Sequence, residues 1–250
     1  MQLTWLDSNS WLIEIAGLRI LLDPWLVGSL TFGDLPWLFE GKKKTARSIP
    51  ESIDMILLSQ GLEDHAHPPT LKVLDRNLPV VASENATKVC QGFGYTDIHP
   101  LKHDETYIFQ DKIAIEAVAG SLVGVNLVEN GYIIRDLHSE DSVYYEPHGF
   151  HSANLQRQKA VKAIITPLTN IVIPFVGSVI KGQEDAVEVC RWLKPQYIFS
   201  TAAGGDLEFN GFLTKMLKEE GSIDRFRDLL SKENINTSAI ELQPWSTINL

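Results

Sequence analysis

The sequence predicts an α/β fold of two β-sheets packed face to face with helices outside, and three observations carry that expectation. Short apolar, β-rich runs recur along the chain. Only a few segments have a helical period. The two halves follow a similar plan, with β-hairpins first and alternating strand and helix after them. Neither a Pro/Gly/Ser-rich linker nor a short-period repeat interrupts the 250 residues, so residues 1–250 are expected to form a single domain.

SWLIEIAG and LRILLDPW are two β-rich runs around Gly17 and read as a hairpin. WLVGSLTFGDLPWLFEGKKK mixes glycines, prolines and large apolar residues, which suits a long loop or a short helix over a surface. Lys42, Lys43 and Lys44 at its end read as a solvated loop. Ile53 to Leu58 is a continuous apolar run, the pattern of a buried strand. PPTLKVLDRN opens on proline, suits a helical first turn and closes at Asn77. LPVVASEN is another buried strand, and ATKVCQGFG is a short helix ended by glycine. The centre, from DIHPLKHDETYIF to KIAIEAVAGS, alternates like antiparallel strands, as do GYIIRD and SVYYEP. HSANLQRQ begins a helix-like piece, and KAIITPL is a strand. GQEDAVEVCRWLKP is the clearest helix, with Ala186, Val189, Cys190 and Leu193 on one stripe. QYIFSTAAGG is a strand running into a glycine turn, and the part from FLTKMLKEE to FRDLLSKEN is expected to be helical.

Composition narrows the function classes. The hydrophobic fraction of 44% is enough for a sizeable core. A net charge of −10 repels phosphate backbones, so nucleic acid is not an expected partner. The two cysteines, Cys90 and Cys190, lie far apart and read as buried thiols in a reducing compartment. The N-terminal stretch has no basic region followed by a small-residue cleavage site, and no apolar run is long enough to span a bilayer. A cytoplasmic protein with a small-molecule substrate or ligand is the expectation.

The stretch ILLSQGLEDHAHPPTL sets the chemical question, because a buried strand runs into a turn holding Asp64, His65 and His67, all metal-ligand residue types. TWLDSNSWLIEIAGLRILLDPWL, at the start of the chain, resembles the opening of the metallo-β-lactamase fold. It is most similar to the branch of lactonase-like and phospholipase-D-like metal-dependent hydrolases. That resemblance implies an αββα four-layer sandwich of two mixed sheets. It also implies a His-x-His-x-Asp-His metal turn, in which Asp64 and His65 match the last two ligands while Gln60 and Leu62 replace the first two. The family's third histidine has no counterpart in AVAGSLVG, residues 117–124. Glu146 stands at the bridging aspartate, His148 where a threonine is usual, and Thr201 at or beside the last histidine.

The family's two-metal centre cannot be rebuilt from these residues. Leucine does not coordinate, and glutamine offers only a weak neutral carbonyl. What the resemblance leaves is a degenerate site in which Asp64, His65, Glu146 and His148 hold one divalent metal ion, with Asp64 and His65 also catalytic. His67, His151, Gln60 and Thr201 are additional candidates. Mixed nitrogen and oxygen donors suit zinc, manganese or iron(II). The implied activity is hydrolysis of an ester, lactone or phosphodiester, with Trp25, Phe32, Trp37 and Phe39 covering the pocket. The alternative is a catalytically inactive descendant acting as a small-molecule or protein-binding module. Each candidate also has a plain structural reading: Asp64 could cap the following helix, His67 could stack or hydrogen-bond, and His151 could begin a helix.

Overall fold

The computed structural model describes residues 1–123, 127–139, 141–202 and 204–250. Gly124, at the end of AVAGSLVG, and Ala203, in the turn after the late strand, lie outside the described residues. The chain forms two compact units.

The first unit comprises Met1–Lys102, Gly204–Met216 and Gln243–Leu250. Its main sheet has seven strands. In spatial order they are Thr247–Asn249, Gln2–Trp5, Trp11–Ile15, Leu18–Leu22, Met55–Leu58, Val80–Ala82 and Ile98–Pro100. The first three pairings are antiparallel and the last three parallel. The fully buried run Met55–Leu58 is central, as its lack of polar alternation requires. The helices Pro68–Val73 and Glu84–Gly92 supply the crossovers, and Leu71, Ala86 and Cys90 pack with Leu21, Ile56 and Leu58.

The second unit comprises His103–Ala203 and Leu217–Leu242. Its main sheet also has seven strands. In order they are Thr106–Phe109, Ile113–Val123, Leu127–Asp136, Ser142–Tyr145, Ala163–Ile165, Tyr197–Phe199 and Ser238–Ile240. Again three antiparallel pairings are followed by three parallel ones. The helix Glu184–Leu193 buries Ala186, Val189, Cys190 and Leu193, the stripe read from the sequence. The helix Ile223–Lys232 adds Phe226 and Leu230 to the same core.

Three local expectations are corrected. FLTKMLKEE is not helical: after a short 3₁₀ turn at Leu213–Lys215, Lys218–Glu220 pairs with Asn170–Ile173 as a strand. The segment after Trp25 is neither a loop nor a helix throughout, because Leu30–Thr31 and Glu40–Lys43 form a small sheet with Leu207–Asn210. Lys43 is therefore not solvated. Its side chain is 8% exposed and pairs with Asp7 at 3.2 Å. Among the described residues, no helix is long and apolar enough to cross a membrane.

Candidate metal centre

In the first unit the site grows from two strand ends. Asp23 follows Leu18–Leu22 with φ 41°, and its N–H donates to the Leu57 carbonyl at 3.0 Å. That leaves its carboxylate inside the next turn. Oδ1 accepts the Ser59 N–H at 2.8 Å. Oδ2 accepts the Ser59 hydroxyl and lies 2.7 Å from His65 Nδ1. His65 is fully buried, and its Nε2 faces Asp64 Oδ2 at 3.1 Å and Asn9 Nδ2 at 3.4 Å. Burial pulls the His65 pKa down, but Asp64 and Asp23 on either side of the ring hold it well above the ordinary value. A carboxylate on Nδ1 is also how proteins fix a ligating imidazole, leaving Nε2 to carry the lone pair.

Other residues of this turn behave differently. Leu62 is 40% exposed, while Gln60 is buried and its Oε1 has no hydrogen-bond partner among the described residues. Asp64 does not cap the next helix, whose N-cap residue is His67. Both His67 ring nitrogens are engaged, with Thr70 Oγ1 at 2.9 Å and the Ser29 carbonyl at 3.1 Å, and the ring packs against Trp25. Burial lowers its pKa to about 4. Trp25, Phe32 and Phe39 pack with Leu30 and Leu207 in a small core, so of the four aromatics expected over the pocket only Trp37 is largely exposed.

In the second unit Glu146 occupies the place in its sheet that Asp23 has in the other. It follows the last antiparallel strand, and its N–H donates to the Ile165 carbonyl at 3.1 Å. Its Oε2 accepts the backbone N–H groups of His148 at 3.2 Å, Gly149, and Phe150 at 2.9 Å. Oε1 is buried with no hydrogen-bond partner among the described residues. His148 Nδ1 is 2.7 Å from Oε1 of the fully buried Glu129. Ligand atoms of Glu129, Glu146 and His148 all lie within 4.8 Å of one another. Burial, and then the Glu129 carboxylate, push the Glu146 pKa well above its ordinary value. His151 stands apart from this cluster in its bonding: its Nδ1 meets the Tyr144 hydroxyl at 3.0 Å, and Nε2 is buried without a partner among the described residues. Thr201 is buried, with its N–H donating to the Thr166 carbonyl at 3.3 Å.

Of the four expected ligands, Asp64 and His65 meet within the first unit, and Glu146 and His148 within the second. Asp23 and Glu129 were not foreseen as site residues. Asp23 had a signal in the Asp-Pro pair that ends the opening hairpin. Glu129 had only its position in the alternating strand Leu127–Asp136.

A family model described as "Beta-lactamase superfamily domain" matches residues 2–202. Among curated protein sequences none matches the chain. An isothiocyanate hydrolase from Delia radicum gut bacteria is similar in structure at TM-score 0.71 and 16% identity, with 100% of this chain and 99% of that one covered. A metallo hydrolase from the hyperthermophilic archaeon Ignicoccus hospitalis is similar at TM-score 0.69 and 15% identity, covering 99% and 97%. A diiron β-hydroxylase from Streptomyces venezuelae is similar at TM-score 0.70 and 16% identity, covering all of this chain and 54% of that one. At such identities the likeness is one of fold.

Proposed function

This chain belongs to the beta-lactamase superfamily, and from that premise we propose that it is a metal-dependent hydrolase of an ester, lactone or phosphodiester in a small-molecule substrate. The observation that carries the reading is Glu146. Its Oε2 is locked by three backbone N–H groups, while its Oε1 is buried, without a hydrogen-bond partner among the described residues, and beside a second carboxylate and an imidazole. Two buried carboxylates side by side are costly, and a proton or a cation held between them offsets that cost. The donor set is oxygen and nitrogen, which fits zinc, manganese or iron(II).

Glu146 and His148 are the proposed ligands in the second unit, and the family resemblance names Asp64 and His65 as ligand candidates in the first. A divalent ion, when bound, would supply Lewis-acid polarisation and acidify water for hydrolysis at neutral pH. The protein's own part is positional. Asp23 holds the His65 ring through Nδ1, the backbone of His148–Phe150 holds the Glu146 carboxylate, and Gln60 offers a neutral carbonyl. The family match runs through segments of both units, which supports reading 1–250 as one domain. Two buried free thiols and a net charge of −10 support a reducing, cytoplasmic setting and no nucleic-acid partner.

A second reading is a catalytically inactive descendant that binds a small molecule or a protein. It is favoured by Leu62 and Gln60 at the places of two ligand histidines. Metal content of protein purified without chelator or nickel separates the two readings. About one equivalent in wild type, lost in His65→Ala and His148→Ala, supports the hydrolase and justifies a screen of esters, lactones and phosphodiesters. No metal in wild type after incubation with zinc, manganese or iron(II) sinks it.

A further inference from the structure

We propose that Glu129 is a positioning residue of the metal centre, forming with His148 a carboxylate–imidazole unit that takes over from a histidine this chain lacks. The proposal rests on the metal reading above and concerns a residue which that reading does not count among the ligands.

Three features of the second unit carry it. The first is the hydrogen bond. Glu129 Oε1 receives His148 Nδ1 at 2.7 Å and the Ser121 N–H at 3.1 Å, so the acceptor is itself fixed. Glu129 is fully buried and the His148 side chain 16% exposed. With the proton of the neutral ring on Nδ1, the lone pair is on Nε2, the arrangement a ligating histidine needs. The same construction occurs in the first unit, where His65 Nδ1 is 2.7 Å from the buried Asp23 carboxylate.

The second feature is the space. A Cβ at Gly120 would lie 3.0 Å from Glu146 Oε1 and 3.1 Å from Glu129 Cγ. A Cβ at Gly131 would lie 3.3 Å from Glu146 Cγ. Two glycines on adjacent strands thus clear the room in which both carboxylates sit. Residues 117–124, where the family places its third histidine, have none, and the space over Gly120 is taken by Glu146 Oε1 together with the Glu129 side chain. The third feature is Glu146 Oε1, buried and without a hydrogen-bond partner among the described residues, beside this pair. A salt bridge between Glu129 and His148 serving stability alone gives no reason to bring a second buried carboxylate to the same spot.

The test is a binding cycle with the metal alone. Affinities for manganese(II), cobalt(II) and zinc are measured by competition with a chromophoric chelator for wild type, Glu129→Gln, His148→Ala and the double variant. Loss of such an orienting partner weakens metal binding by roughly 10- to 100-fold. We expect that loss from Glu129→Gln in the wild-type background, and no further loss when His148 is already alanine. Wild type that binds metal while Glu129→Gln binds it equally well overturns the role of Glu129 and leaves the hydrolase reading standing. An equal loss in both backgrounds also overturns it, because Glu129 then does not act through His148. Wild type that binds no metal overturns both readings together. Isotope-labelled histidine NMR of the wild-type protein needs no variant to fold. Cadmium bound at His148 Nε2 is the expected signature, and cadmium at Nδ1 overturns the proposal.

Discussion

At Gly149 a side chain has nowhere to go. Its φ is 77°, and a Cβ there would sit 1.6 Å from the Lys181 carbonyl oxygen. The backbone must bend there for three successive N–H groups to converge on Glu146, and Lys181 N–H donates to the His148 carbonyl at 2.8 Å in the same contact. Gly149→Ala is therefore expected to lose on the order of 4 kcal/mol or more of stability in urea unfolding, and to lose metal with it. Lys43 makes the complementary case of a buried charge. Burial lowers its pKa, although the Asp7 carboxylate opposes that shift. Asp7 also accepts the Asp206 N–H at 2.8 Å and the Trp245 indole N–H at 3.2 Å, and the Lys43 ammonium lies 5.0 Å from the Trp25 ring centroid. Removing one partner strands the other, so Asp7→Ala should cost about 3 kcal/mol, while the pair Asp7→Asn with Lys43→Met should recover much of that loss. Equal losses in the single and double variants would show that the charges are not coupled. Nothing in the run of three lysines announced this, because the partner lies 36 residues away in sequence.

At the level of elements, local pattern succeeded where a segment carries its own period and failed where pairing partners decide. The helix Glu184–Leu193 was legible because its apolar residues recur at helical spacing and reach the core together. Lys218–Glu220 was not, since nothing within KEE distinguishes a helical turn from a strand. Its conformation comes from backbone pairing with Asn170–Ile173, about 50 residues earlier. The hairpin joining Asn170–Ile173 to Gly177–Ile180 gives a sharper example. Val176 N–H donates to the Ile173 carbonyl at 3.1 Å, closing a turn with Pro174 and Phe175 at its centre. Phe175 has φ 66° in the position of a type II turn that favours glycine or asparagine, and it is fully exposed. Phe175→Asn should stabilise the protein by about 1 kcal/mol, read as a higher midpoint in thermal unfolding. Unchanged or lower stability would mean that the ring makes a contact worth more than the strain.

Across the whole molecule the two units repeat one plan, three antiparallel pairings followed by three parallel ones, and the candidate residues fall at matching strand ends. Asp23 and Glu146 each close the last antiparallel strand and donate N–H to the neighbouring parallel strand. The order of hairpins and alternating elements made this repetition visible in the sequence. The supporting carboxylates were not visible, because what Asp23 and Glu129 do depends on histidines 42 and 19 positions away. A repeated core with polar groups sealed inside it ties global stability to their protonation, and His151 gives the measurable instance. Burial, and then the Lys181 charge, lower its pKa from 6.5 to about 3. The groups facing it are the Tyr144 hydroxyl on Nδ1 and the Lys181 ammonium through space. The unfolded chain therefore takes up a proton below pH 6.5 that the folded chain refuses until about pH 3. The His151 contribution is fully present above pH 6.5 and is lost as the pH falls across that window, by up to about 1.4 kcal/mol per pH unit. Urea unfolding at several pH values, for wild type and His151→Gln, isolates it by difference. Wild type should lose stability relative to the variant as the pH drops below 6.5, and parallel curves would mean that His151 titrates alike in the folded and unfolded chains.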